Sequence, residues 1–234
     1  MSAIADNLQA VKQRIARVAH ASGRRAESVR LLAVSKTFDA DAVRSAFAAG
    51  QRAFGENYVQ EGIEKITTLA DLRPQLEWHM IGPLQSNKTR QIAEQFDWVH
   101  SVDRLKIAER LSAQRPAELP PLQICLQVNI SNEPSKSGVL PQEVAALAHA
   151  IAQLPRLQLR GLMAIPAASA DPAQQRQPFS ALRRLLEQIK AQQDTALDSA
   201  LDTLSIGMSA DLEAAIAEGA TIVRVGSAIF GKRL

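Results

Sequence analysis

Chemistry is easiest to place in this chain at a lysine that ends an apolar run. Leu31-Leu32-Ala33-Val34-Ser35-Lys36 has the composition of a strand, and the strand period of two puts Leu32, Val34 and Lys36 on one face. An ammonium carried by such a face is costly to bury unless it is used. A neutral amine in that position attacks carbonyls to form a Schiff base, and partial burial or a neighbouring cation lowers a lysine from its usual value of about 10.4 toward that neutral form. Two later segments suit an anion. In Ser205-Ile206-Gly207-Met208-Ser209 and again in Arg224-Val225-Gly226-Ser227, a strand runs through a glycine into a helix start. Backbone N–H groups at such junctions bind phosphates, and glycine allows close approach. Asp211 and Glu213 follow the first of these turns and would repel a phosphate unless they point away.

The same parity groups Glu77, His79 and Ile81 on a third strand, Cys125, Gln127 and Asn129 on a fifth, and Ile222 with Arg224 on the last. Taken singly, each of these polar residues reads equally well as a strand cap or a solvated side chain. His79 and His100 have no cysteine or carboxylate at metal-ligand spacing, and no Gly-x-Ser-x-Gly elbow occurs, which lowers the zinc and serine-hydrolase readings. Cys125, the single cysteine, falls in an apolar run and reads as core rather than nucleophile. Trp78 and Trp98 also read as core, and Glu56-Asn57-Tyr58 reads as a plain helix start.

The elements that must position these groups alternate. A leading helix over Ser2–His20 places Ile4, Leu8, Val11, Ile15 and Val18 at helical spacing. Eight strand candidates follow: Leu31–Ser35, Arg52–Phe54, Leu76–Ile81, Trp98–His100, Leu122–Ile130, Leu157–Ala164, Thr203–Ile206 and Thr221–Val225. Between them helices are expected to start near Ala40, Asn57, Ser86, Arg104, Pro141, Ala173 and Ser209. One crossover helix per strand and about eight strands predict a single (β/α)8 barrel over residues 1–234, with the leading helix as an addition, in preference to an open doubly wound sheet. In such barrels function collects at the C-terminal ends of the strands, and phosphate sits after strands seven and eight. The stretch Pro166–Pro178 is expected to be a long loop at the mouth.

The chain has 234 residues, 46% hydrophobic and 22% charged, an ordinary composition for a packed core. Its net charge of +3 is scattered, without a basic run interleaved with aromatics, so nucleic acid is not an expected partner. The sequence contains no stretch of the roughly 20 apolar residues that a membrane span needs and no signal-peptide core near its start, so the expectation is a cytoplasmic protein.

The ordered blocks Ala33-Val34-Ser35-Lys36, Phe54-Gly55-Glu56-Asn57-Tyr58-Val59-Gln60-Glu61 and Trp78-His79-Met80-Ile81-Gly82-Pro83-Leu84-Gln85-Ser86-Asn87-Lys88 resemble the small pyridoxal 5'-phosphate (PLP) homeostasis proteins, relatives of the PLP-binding barrel of alanine racemase. Val128-Asn129-Ile130, Lys136-Ser137-Gly138, Gly161-Leu162-Met163, Ser205–Asp211 and Arg224–Gly231 continue the match nearly end to end. The resemblance implies a Schiff base between PLP and Lys36. It implies that Ser209, Gly226 and Ser227 hold the phosphate, that Arg224 faces the pyridine nitrogen, and that Asn57 lies beside the cofactor. His79, Met163 and Ser205 are implied as lining. A permanently charged guanidinium donates to an unprotonated ring nitrogen, which disfavours deep carbanion chemistry.

Racemases take their second base, a tyrosine, from a further domain across a dimer, whereas the only tyrosine here is Tyr58. The expected function is therefore intracellular PLP (vitamin B6) homeostasis without substantial catalysis, by a monomer that stores PLP or hands it to PLP-requiring enzymes. Lys136 would serve either as a second amine in PLP exchange or as a solvated loop lysine. A PLP-dependent amino-acid racemase is the alternative. On the physics of Lys36 and the phosphate turns alone, a Schiff-base aldolase or a phosphate-sugar enzyme fits equally well.

Overall fold

The computed structural model describes residues 3–133, 136–192 and 200–231. The leading helix α1 (Ala3–Ala21) buries Leu8, Val11, Ile15 and Ala19, one stripe at helical spacing, while Ile4 and Val18 are only partly covered. Eight parallel strands then close into a barrel in sequence order. They are β1 (Arg30–Val34), β2 (Ala53–Glu56), β3 (Glu77–Met80), β4 (Trp98–Val102), β5 (Leu122–Gln127), β6 (Leu157–Met163), β7 (Thr203–Ser205) and β8 (Ile222–Val225). The crossover helices are α2 (Ala40–Ala48), α3 (Val59–Thr68), α4 (Thr89–Gln95), α5 (Leu105–Gln114), α6 (Val144–Ala152), α7 (Pro172–Gln192) and α8 (Leu212–Ala217), with a last turn α9 (Ser227–Phe230) after β8. Helix α1 packs on α2, α8 and α9, across the seam where the first and last β/α units meet. Among the described residues no helix is long and apolar enough to cross a membrane.

The apolar residues divide into two layers. The larger layer lies between sheet and helices and includes Phe54, Trp78, Phe96 and Phe179. The smaller fills the barrel itself with Leu32, Ala53, Trp98, Cys125, Met163 and Ile222, with Ile81 packed against it. The Leu, Ile and Met side chains of this layer, fully buried, contribute about 1.5–3 kcal/mol each. The parity of β1 therefore holds, with Leu32 inside the barrel and Leu31 and Ala33 under the helices.

Three expectations are corrected. The fifth strand ends at Gln127 rather than Ile130: Val128 keeps a last bond to β6, from its N–H to the Met163 carbonyl at 2.8 Å, while it bridges Val139, and Asn129 folds the following loop by bonding Glu133 through both ends of its amide. The long loop expected over 166–178 stops at Asp171: Pro172 opens α7, where its missing N–H is no loss, and the buried stripe Phe179, Leu182, Leu186 and Ile189 carries the helix past Pro178. The helices expected at Asn57 and Ser209 start later, at Val59 and Leu212, which leaves Asn57 and Ser209 in the preceding turns.

Candidate functional site

The register of β1 on β8 pairs Leu32 with Arg224 and Ala33 with Val225, so the two segments leave the barrel side by side. Above them a cavity of about 520 Å³ opens at the C-terminal ends of the strands. Lys36, Asn57, Ser209, Arg224, Gly226 and Ser227 all line it, together with Val34, Ile81, Ile165, Met208 and Ala210. Six of the nine residues singled out from the sequence thus meet in one place. The other three do not reach it. His79, Met163 and Ser205 are enclosed in the barrel one layer below, His79 stacked on Trp98 at 5.3 Å and Met163 in the inner apolar cluster. Parity assigns a residue to the inside, but it does not say how far along the barrel axis the residue sits.

The phosphate-type turns are built for close approach. A Cβ at Gly226 would stand 3.0 Å from the Val34 carbonyl oxygen, tighter than most real contacts. Gly207 adopts φ +91, and a Cβ there would strike that of Ala215 at 2.5 Å, so both the turn's conformation and its packing require glycine. The two acidic residues of this turn are directed elsewhere. Asp211 accepts from the Met208 N–H at 2.6 Å, and Glu213 takes a two-pronged bond from Arg14 at 2.6 and 2.5 Å, which holds its carboxyl below the usual range. Arg14 also donates to the Ser209 carbonyl at 3.0 Å.

Arg224 is buried and held from below. Its Nη1 donates to the Ser205 carbonyl at 2.5 Å and to Ser205 Oγ at 2.8 Å, and its Nη2 donates to the Ala164 carbonyl at 3.0 Å. A guanidinium has five N–H groups, so two remain for a group in the cavity. Burial lowers Arg224 to about 10, which still leaves it cationic at neutral pH.

One feature of the site was not read from the sequence. Behind Lys36, Lys65 of α3 is buried and donates to the Ser35 carbonyl at 2.7 Å, to Glu56 Oε1 at 2.8 Å and to Glu61 Oε1 at 2.6 Å. Ser35 Oγ donates to the same Glu56 oxygen at 2.6 Å, and Glu61 Oε1 also accepts from the Thr37 N–H at 2.5 Å. The main chain is gripped on both sides of Lys36, and Thr37 is held at φ +69, a conformation rare for threonine. Burial pushes the Glu56 carboxyl up, with Lys65 and Ser35 opposing the shift. The only local clue was Glu61 and Lys65 at i,i+4 on one helix face.

Two candidates lie apart from the cavity lining. Cys125 is enclosed in the barrel and burial drives its thiol up to about 12, a packing residue rather than a nucleophile. Lys136 lies in the loop that joins Val128 to Val139, half-buried and outside the lining.

A closed parallel β/α barrel with a lysine and two glycine-bearing turns at the C-terminal mouth of its strands is the class that the fold and the site define. The chain belongs to the alanine racemase N-terminal domain family, whose model matches residues 4–233. It is 60% identical to the pyridoxal phosphate homeostasis protein of Pseudomonas aeruginosa, covering 100% of this chain and 97% of that one. It is 53% identical to the protein of the same name from Escherichia coli K12, with 100% and 98% covered. Among solved structures it is similar to PipY of Synechococcus elongatus PCC7942 with PLP bound, at 40% identity and TM-score 0.83, covering 97% of this chain and 100% of that chain. An alanine racemase from Corynebacterium glutamicum shares the fold alone, at 18% identity and TM-score 0.69, with this chain spanning 61% of its length.

Proposed function

We propose that this protein binds PLP and serves intracellular PLP homeostasis, with the cofactor held as a Schiff base on Lys36. The observation that carries the reading is that Lys36, Arg224, Ser209, Gly226 and Ser227, drawn from opposite ends of the chain, line one cavity. Its volume lies within the range of roughly 300–1,000 Å³ usual for small-ligand sites. The residues fit the cofactor's parts. Lys36 would supply the amine for the aldehyde, with water leaving as the C=N bond forms. The Ser209 and Gly226–Ser227 turns would hold the phosphate, Asn57 would line the ring, and the two unpartnered N–H groups of Arg224 would suit a ring nitrogen that only accepts. When bound, PLP supplies an electrophilic aldehyde and an electron-withdrawing ring.

The names of the relatives and the PLP-bound cyanobacterial structure support the cofactor. Storage or transfer is favoured over racemisation, because among the described lining residues Lys36 is the one ordinary acid or base, and racemisation needs one on each face of Cα. Ile165 and Met208 at the rim are 38% and 39% exposed, which suits an entrance that PLP can leave for a PLP-requiring enzyme. On this reading the protein is a single-domain cytoplasmic monomer.

The test is borohydride reduction of PLP-loaded protein. The visible band should bleach, and mass spectrometry should place phosphopyridoxyl on Lys36. An adduct of equal yield on Lys36→Ala protein would remove the reading, and rapid deuterium exchange at the Cα of added amino acids would replace it with the racemase.

A further inference from the structure

Below the cavity, five side chains form one hydrogen-bonded line through the barrel, and the proposed function uses only its upper end, Arg224, beside the ring nitrogen. Arg224 Nη1 meets Ser205 Oγ at 2.8 Å, Ser205 Oγ meets His100 Nδ1 at 2.7 Å, and His100 Nε2 meets His79 Nδ1 at 2.8 Å. His79 Nε2 then meets Glu77 Oε1 at 2.5 Å, and that oxygen also accepts from Arg30 at 2.8 Å. Ser205, His79 and His100 are shut off from solvent.

The carboxylate end fixes the direction of every bond while both rings are neutral. Glu77 only accepts, so His79 carries its proton on Nε2 and accepts at Nδ1. His100 then donates from Nε2 and accepts at Nδ1, so Ser205 Oγ sends its own proton to His100 and accepts from Arg224, whose guanidinium only donates. Reversing the middle bond would require an imidazolium at His79, since its Nε2 must donate to Glu77 in either case. Burial opposes that charge and lowers both rings from their ordinary value, His100 more strongly, with His79 and Arg224 adding to it. The charged groups acting on the pair are Glu77, Arg30, Arg224 and Asp97.

We propose that His79 and His100 are positioning residues of the cavity: locked as Nε2–H tautomers, they hold the Ser205 hydroxyl with its lone pairs toward Arg224 and so aim the guanidinium's remaining N–H groups upward. A line in which every bond points the same way also strengthens each member. The inference rests on the PLP-binding reading only for what sits above Arg224.

Its first test needs no cofactor. Nitrogen-15 NMR of cofactor-free protein should show both buried rings protonated on Nε2 alone, slowly exchanging and unchanged from pH 6 to 8.5; a mixture of tautomers, or a proton on Nδ1 of either ring, overturns the proposal. The second test compares His100→Leu with His100→Asn, whose amide oxygen can stand in for Nδ1 as acceptor. Leucine should shift the Arg224 side-chain resonances, move the absorption maximum of bound PLP and weaken PLP binding about tenfold, and asparagine should restore most of each. Ser205→Ala, which deletes only the hydroxyl, should reproduce the leucine effects if His100→Leu does not fold. Unchanged Arg224 resonances and an unchanged PLP spectrum in whichever of these folds would sink the proposal. Wild-type protein that takes up no PLP would instead defeat the functional reading, leaving the tautomer measurement to stand or fall alone.

Discussion

Two buried polar networks bracket the cavity, and they are built on opposite principles. Behind Lys36, three formal charges crowd together: one ammonium from Lys65 and two carboxylates from Glu56 and Glu61. Beneath Arg224, the charges stand at the ends and the groups between them, Ser205, His100 and His79, are neutral. The first network grips main chain on either side of Lys36, so it fixes where that side chain's stem begins. The second grips the end of a side chain and fixes a guanidinium face. On the proposed reading, the first arrangement seats the covalent anchor and the second fixes the partner of the ring nitrogen.

The largest effect expected belongs to the anchor itself. Lys36→Ala should abolish the borohydride-fixed adduct while leaving both networks folded, which a thermal melt close to wild type would verify. An equally severe loss of folding would show that the clamp depends on the side chain whose flanks it holds.

Next comes the clamp. Lys65→Met strands one fully buried and one partly buried carboxylate, and breaking a buried ion pair in this way costs about 3–5 kcal/mol. Denaturant unfolding should register that loss, and the PLP off-rate should rise with it. Lys65→Arg should recover part of both. If Lys65→Met were as stable as wild type, the clamp would be packing and nothing more.

The neutral line has a pH signature that the clamp lacks. Burial depresses both imidazoles in the folded protein, so the unfolded chain takes up protons that the folded one refuses. Stability from this source is complete above the unfolded value of about 6.5 and is lost as pH falls below it. The midpoint of thermal unfolding should drop between pH 7.5 and 5.5, and His100→Asn should flatten that drop. The clamp works in the other direction: Glu56, raised by burial, contributes stability below its unfolded value that fades as pH rises through its folded one, and Glu56→Gln should remove that trend.

The smallest effect is expected outside both networks. Arg14→Ala frees Glu213 and the Ser209 carbonyl, but the Arg14 and Glu213 side chains are 30% and 52% exposed, so the cost should be about 1 kcal/mol or less. Weakened binding of inorganic phosphate would show that the pair also steadies the Ser209 turn, and no change would confine it to the surface.

Much of the frame could be read from local pattern. Alternation placed Leu32 and Arg224 inside the barrel, and the run of strand, turn and helix was enough to expect closure. Ordered motif blocks then brought Lys36, Asn57, Ser209, Gly226 and Ser227 to one mouth. What escaped were relations between elements. Glu56 and Lys65 meet across a strand and a helix, and His79 meets His100 only because the neighbouring strands β3 and β4 bring their rings edge to edge. No period in the chain encodes a height along the barrel axis, and for that reason His79, Met163 and Ser205 were expected at the cavity and lie under it.

The enclosure of Cys125 bears on selectivity as well as on packing. Sulfur competes with nitrogen for aldehydes, and a reactive thiol near the mouth would divert part of the proposed cofactor into thiohemiacetal. With its only sulfhydryl sealed among Leu32, Trp98 and Met163 and driven to about 12, the described part of this chain would offer the proposed aldehyde no sulfur rival to Lys36.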